Sequence, residues 1–115
     1  MLRELEEEYY VDESGFSFVI KTGIAMGGLQ DGEIKGVIKR PNGSLVYRTI
    51  PIANINDAAT GEVQFEIEPN DFSHPGTYHV QVFVKDADGV LARPSHRFQF
   101  VVKDALVKDA DSLFV

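Results

Sequence analysis

Phe16, Phe18 and Ile20 alternate with Ser17, Val19 and Lys21, and the same two-residue period recurs along most of the chain. Side chains on a strand point alternately to its two faces, so this pattern predicts half-buried β-strands. Ile34–Lys39 and Leu45–Ile50 flank Pro41-Asn42-Gly43-Ser44, and Asn-Gly between two such runs predicts a β-hairpin. Gly61–Ile67 reads as a strand with Val63, Phe65 and Ile67 on the core side. Tyr78, Val80, Val82 and Val84 then mark the inner face of a long strand over 77–86, and Asp88-Gly89 predicts a tight turn after it. In the last run, 95–102, Phe98, Phe100 and Val102 share a face, and Pro94 before it suits a strand start or a bulge.

Between these runs the pattern fails in informative ways. The four glycines of Gly23–Gly32 leave a poorly periodic stretch, read as a partial strand plus a loop. Residues 51–60 read as the long connection of a Greek key. Asn70 and Asp71 are helix-cap residues, and Pro75-Gly76 breaks any short turn they begin. Gly76-Thr77-Tyr78 at the head of a long strand is the arrangement of a tyrosine corner. The fold class expected is therefore all-β: an immunoglobulin-like antiparallel sandwich of about seven strands. In this reading the sandwich occupies 14–102, between an acidic arm or short helix at 1–13 and an arm or short helix at 103–115. Leu2, Leu5 and Tyr9 fit one helix face in the first arm, as do Leu106, Leu113 and Phe114 in the second. Asn42, Gly43, Gly76, Tyr78, Asp88 and Gly89 are the residues on which the turns and the corner rest.

Composition changes this picture at a few points. A chain of 115 residues is one domain, able to bury a core without covalent staples. It has no cysteine and no tryptophan, so disulfides, thiolate metal sites and the Cys…Trp…Cys pattern of antibody domains are all absent. Eight Phe and four Tyr must supply the bulky packing. The net charge of −7 argues against nucleic acid or an anionic membrane as partner. The acidic N-terminus is not a signal peptide, and no apolar run is long enough to span a bilayer. Synthesis in the cytoplasm, with final residence in an assembled particle, fits these features.

Candidate chemistry is sparse. His74, His79 and His96 are surface histidines in this reading, and two of them would fall short of a stable metal site. Asp86-Ala87-Asp88-Gly89 and Asp109-Ala110-Asp111-Ser112 do not continue as calcium loops. Glu66 and Glu68 are charges on a strand rather than a carboxylate pair facing across a cleft. Asn42-Gly43-Ser44 matches a glycosylation sequon but serves as a turn. Nucleophile elbow, phosphate loop and His-Glu-x-x-His patterns are absent, so no catalytic residue, cofactor or metal is expected.

One constellation remains. Strand parity sends Thr77, His79, Gln81 and Phe83 outward, and Val37 and Val101 also lie opposite their core-facing neighbours. In an immunoglobulin-like topology these strands are adjacent, so Val37, Phe83 and Val101 would form an apolar stripe on an outer sheet face. Single exposed apolar residues or a covering terminal arm account for the same pattern without an interface.

The succession Lys35–Gly43, Gly61–Ile67 and Phe72–Gly89 resembles the N-terminal domain of phage baseplate upper proteins. That family runs through a strand, a Pro-Asx-Gly turn, a Gly-led strand, and a Gly-Thr-Tyr strand closing on Asp-Gly. The likeness covers about residues 34–102. It implies an immunoglobulin-like sandwich in the host-adsorption device of a tailed phage, and it brings no catalytic residues. The function expected is a non-enzymatic structural or adaptor component of a tail tip or baseplate. Other tail or baseplate proteins, or further copies of the chain, would be its partners. Two alternatives stand beside it. One is a carbohydrate-binding module for cell-wall glycans, with Tyr47, Phe83 and Tyr9 or Tyr10 as stacking aromatics. The other is an accessory sandwich of a bacterial surface protein.

Overall fold

The computed structural model describes residues 2–3, 8–85, 92–106 and 113–114. Its strands are β1 (Leu2–Arg3), β2 (Tyr9–Tyr10), β3 (Phe16–Lys21), β4 (Ile34–Lys39) and β5 (Leu45–Thr49). After a 3-10 turn at Ile52–Asn54 come β6 (Ile55–Asp57), β7 (Glu62–Ile67), β8 (Gly76–Lys85), β9 (Ala92–Pro94) and β10 (Phe98–Lys103). They form two sheets, ordered β1-β3-β7-β6 and β2-β10-β8-β4-β5, while β9 shares with β10 one edge of β8. The order β3-β7-β6 against β10-β8-β4-β5 is that of an immunoglobulin-like sandwich.

The core follows the period-two pattern. Phe16, Phe18 and Ile20 of β3 and Val63, Phe65 and Ile67 of β7 meet Tyr78, Val80, Val82 and Val84 of β8 from the opposite sheet. Gly36 takes the core-facing position between Ile34 and Ile38 because the Phe65 ring lies across the strand there. A Cβ at residue 36 would sit 1.9 Å from Phe65 Cε2. At one end of the sandwich six aromatic rings interlock. Phe18 lies 4.8 Å from Phe100 between ring centroids, and Phe72 and Tyr78 each lie within 5.5 Å of that cluster's neighbours. Edge-to-face and offset packing of this kind adds to the gain from burial alone.

Tyr78 makes the expected corner. Its hydroxyl donates to the His74 carbonyl at 2.6 Å and accepts from the His74 N–H at 3.1 Å. The β4–β5 hairpin also forms, with positive φ confined to Gly43. Gly43 N–H donates to Arg40 O and Arg40 N–H donates to Ser44 O, so Pro41 and Asn42 make a type I turn and Gly43 the left-handed residue after it. The Asn42 carboxamide oxygen then accepts from both the backbone N–H and the hydroxyl of Ser44.

Four sequence expectations are corrected in detail. Leu2 and Tyr9, placed on one helix face by their spacing, lie on short strands in different sheets. β1 pairs in parallel with β3, and β2 pairs in parallel with β10. Tyr9 is 0% exposed and packs against Phe16, Phe18, Phe72 and Phe100, a burial that outweighs helical propensity in so short a segment. Asn70 and Asp71 cap no helix. Asn70 has φ 72°, and the Asp71 carboxylate accepts the Glu68 N–H and pairs with Arg48. Between Lys21 and Ile34 no strand forms, and Met26 anchors the loop by burial and by its N–H to Ala58 O. The run 95–102 is broken, with β9 before Ser95 and β10 from Phe98.

The crossover at 51–60 contributes the short edge strand β6 on the way from one sheet to the other. Lys103 belongs to β10, and Leu113 and Phe114 lie in a 3-10 turn. Residues 104–106 carry no helix, and the remainder of the helix-or-arm expectation for the tail, with the Asp88-Gly89 turn, falls outside the described residues.

Candidate docking surface

The two sheets turn different outer faces to solvent. On β3 and β7 the outward residues pair as Ser17 with Glu66, Val19 with Gln64 and Lys21 with Glu62, giving a polar, acid-bearing face. On β8, β4 and β5 the outward row is more apolar and carries the opposite charge. Gln81 pairs with Val37, and Val37 with Tyr47. One step along, Phe83 pairs with Lys35 and Lys35 with Thr49, while on the other side His79 pairs with Lys39 and Lys39 with Leu45.

All of these residues of β8, β4 and β5 except Thr49, together with Val80 and Arg97, line an open groove of about 540 Å³. Val37, Leu45, Tyr47 and Phe83 are among its apolar lining residues. Lys35, Lys39 and Arg97 supply positive charge, with His79 and Gln81 between them. Among the described residues no carboxylate lines it and none of the three cations forms an ion pair. The Lys35 ammonium is held by the Thr49 hydroxyl at 2.6 Å. Tyr47 stands on the edge strand β5 and is 68% exposed. The arrangement offers a flat ring and aliphatic side chains for stacking, rimmed by hydrogen-bond donors and positive charge.

Arg97 reaches the groove because of the break in the β9–β10 run. Ser95 closes that break against β8: its N–H donates to Val82 O at 2.8 Å, and its hydroxyl accepts the Val82 N–H at 3.0 Å. The same hydroxyl donates to His96 O, and the Gln81 carboxamide donates to Ser95 O. With its carboxamide N–H so engaged, Gln81 is held in the groove, and the chain resumes pairing at Phe98 opposite Val80.

The expected stripe is only partly assembled. Val37 and Phe83 lie together in the groove, whereas Val101 pairs with Thr77. Thr77 and Phe83 are six residues apart on β8, so Val101 sits roughly 20 Å from Phe83 along the strand direction. Leu45, Lys35, Lys39 and Arg97 complete the groove and were not anticipated. The alternation of Leu45, Tyr47 and Thr49 carried part of that signal, but the juxtaposition depends on register set by the hairpin turn. Of the aromatics considered for stacking, Tyr9 is buried in the core, Tyr10 is half-buried with its hydroxyl on Glu8, and Tyr47 alone is largely exposed on the groove.

Elsewhere, Asn42, Gly43, Gly76 and Tyr78 sit in the turn and corner already described. Glu66 is an exposed outward residue of β7, and Glu68 pairs with Arg48 at 3.3 Å. His74 contacts the Ser73 hydroxyl, His79 lies in the groove, and His96 lies in the break before β10 rather than on a strand. Among the described residues no cluster of His, Asp or Glu could hold a metal ion. Asp86, Asp88, Gly89, Asp109 and Asp111 lie outside them.

No curated protein matches the chain. The family model for the BppU N-terminal domain matches residues 33–113. With that match spanning most of the sandwich, the chain belongs to the BppU N-terminal domain family, the domain of phage baseplate upper proteins, and is a component of the phage baseplate.

Proposed function

We propose that this chain is a non-enzymatic adaptor of the phage tail tip or baseplate, made in the host cytoplasm and resident in the virion. It joins other baseplate proteins through the outer face of β8, β4 and β5. The observation that carries this reading is the groove beside Tyr47: apolar, concave and cationic, on a protein whose net charge is −7 and whose opposite sheet face is polar. An exposed aromatic with aliphatic residues and cationic side chains around it is the composition expected of an interface anchor.

The test is reconstitution with the other purified baseplate proteins of the same phage. Wild-type chain should co-elute with one of them. Tyr47→Asp and Val37→Glu, which place carboxylates on the groove without touching the core, should weaken that complex at least tenfold, or about 1.4 kcal/mol. Complexes unchanged by both substitutions would remove the groove from the docking role.

A second reading has one observation in its favour. Tyr47 shares the groove with Gln81 and His79, across Val37 and Lys39 of the strand between, and a flat ring with such side chains in reach also suits a sugar face. Titration with cell-wall polysaccharide of the host separates the readings, since a glycan site would give heat lost in Tyr47→Ala with no baseplate protein present.

A further inference from the structure

We propose that the groove receives residues 104–114 of a second copy of this chain, so that copies join head to tail. This rests on the reading of the groove as the docking face and names its occupant. The segment is the chemical complement of the groove. It holds Asp104, Asp109 and Asp111 against Lys108 alone, and it carries three large apolar residues that the sandwich leaves uncovered. Leu106 is 103% exposed, Leu113 63% and Phe114 87%. Leu113 and Phe114 are neighbours in the chain and both exposed, and adjacent exposed large apolar side chains suit a binding element.

The first arm is the more acidic segment, yet it is not available. Leu2–Arg3 and Tyr9–Tyr10 are hydrogen-bonded into the two sheets, and Tyr9 is part of the core. The second arm leaves β10 at Lys103, beside Tyr10, and Leu106, Leu113 and Phe114 are not among the residues that line the groove. In the complex, Phe114 and Leu113 lie against Tyr47, Val37 and Phe83. The aspartates face Lys35, Lys39 and Arg97. A tail-to-groove contact is heterologous, so it builds a closed ring when its rotation closes and a longer assembly when it does not.

The experiment is a mixing test read by sedimentation and light scattering on the full chain. Wild type should self-associate reversibly, with apparent mass rising with concentration, and should dissociate as salt is raised from low to high ionic strength. A groove variant, Lys39→Glu with Arg97→Glu, and a tail variant, Leu113→Ser with Phe114→Ser, should each be monomeric. Unchanged circular dichroism and melting would show that both remain folded. Mixed together they should associate again as a one-to-one pair, because one keeps an intact tail and the other an intact groove.

A wild type that stays monomeric at every concentration overturns the proposal, as does assembly indifferent to the tail variant. Failure of the mixture to associate overturns it too. If a synthetic peptide of residues 103–115 binds the tail variant but not a monomeric wild type, the tail covers its own groove and the second copy is excluded. Should the groove variant still lose its baseplate partner while wild type is monomeric, the docking face stands and only this occupant falls.

Discussion

The Tyr78 hydroxyl is both donor and acceptor to one residue, His74, and so ties the start of β8 to the loop before it. Burial pushes this phenol above its ordinary value, opposed by the His74 hydrogen bond and the Arg40 charge. A tyrosine that keeps its proton longer in the folded chain stabilises the fold fully below the unfolded pKa of about 10, and that contribution fades as pH rises through the folded value. Tyr78→Phe should cost about 1–2 kcal/mol at neutral pH, because it leaves the His74 amide and carbonyl without their partner. Urea denaturation at pH 7 and again above pH 10 checks both parts: the gap between wild type and variant should narrow in alkali. The corner was legible because Gly76 and Tyr78 have a fixed spacing from the strand they open. Asp71 was not. Its carboxylate answers to Arg48, which lies 23 residues away on β5, and no local pattern announces such a pair.

At the scale of elements, β8 is the organiser, with β4 along one edge and β9 and β10 sharing the other. Parity along the chain predicted every long strand because each has one dry and one wet face. It read 95–102 as a single strand, since Ser95 interrupts the ladder through a side-chain hydrogen bond that parity does not register. Ser95→Ala would leave the buried Val82 N–H without an acceptor, and a buried unsatisfied donor costs about 1–3 kcal/mol. Chemical denaturation should show that loss. Amide exchange should show it concentrated at Val82 and the β9–β10 break, with the β3–β7 pair unaffected. The same break sets Arg97 on the groove, so this variant also tests how far the groove depends on it.

At the scale of the molecule, the two short strands Leu2–Arg3 and Tyr9–Tyr10 tie the start of the chain to both sheets. β1 extends one sheet and β2 extends the other, with Tyr9 filling the space between Phe16, Phe18 and Phe100. The Arg3 guanidinium lies over the Tyr9 and Phe16 rings, at 4.5 and 4.9 Å from their centroids, and its ion pair with Glu13 holds it there. Tyr9→Ala should therefore behave as a core truncation, costing about 3–5 kcal/mol, and a thermal melt would resolve it easily. A change near +0.5 kcal/mol, as expected for a surface arm, would refute this placement. The arm looked peripheral because its acids dominate the local composition, while the one residue that anchors it has partners scattered from 16 to 100. The groove was half legible for a related reason. That Val37 and Phe83 face outward follows from parity within each strand, whereas their distance from Val101 and nearness to Tyr47 depend on register between strands.

The uneven distribution of charge between the two outer faces also bears on how partners meet. A domain of net charge −7 that gathers Lys35, Lys39 and Arg97 on one face is an oriented body in the field of another protein. An acidic partner approaching the Glu62–Glu66 side is repelled before contact, and one approaching the Tyr47 side is drawn in. Encounters are thus sorted by direction while the molecules are still separated by water, which raises productive collisions over random ones and discourages wrong-face adhesion. In a crowded assembly such as a baseplate, that sorting acts on the speed and fidelity of construction rather than on the strength of the finished joint.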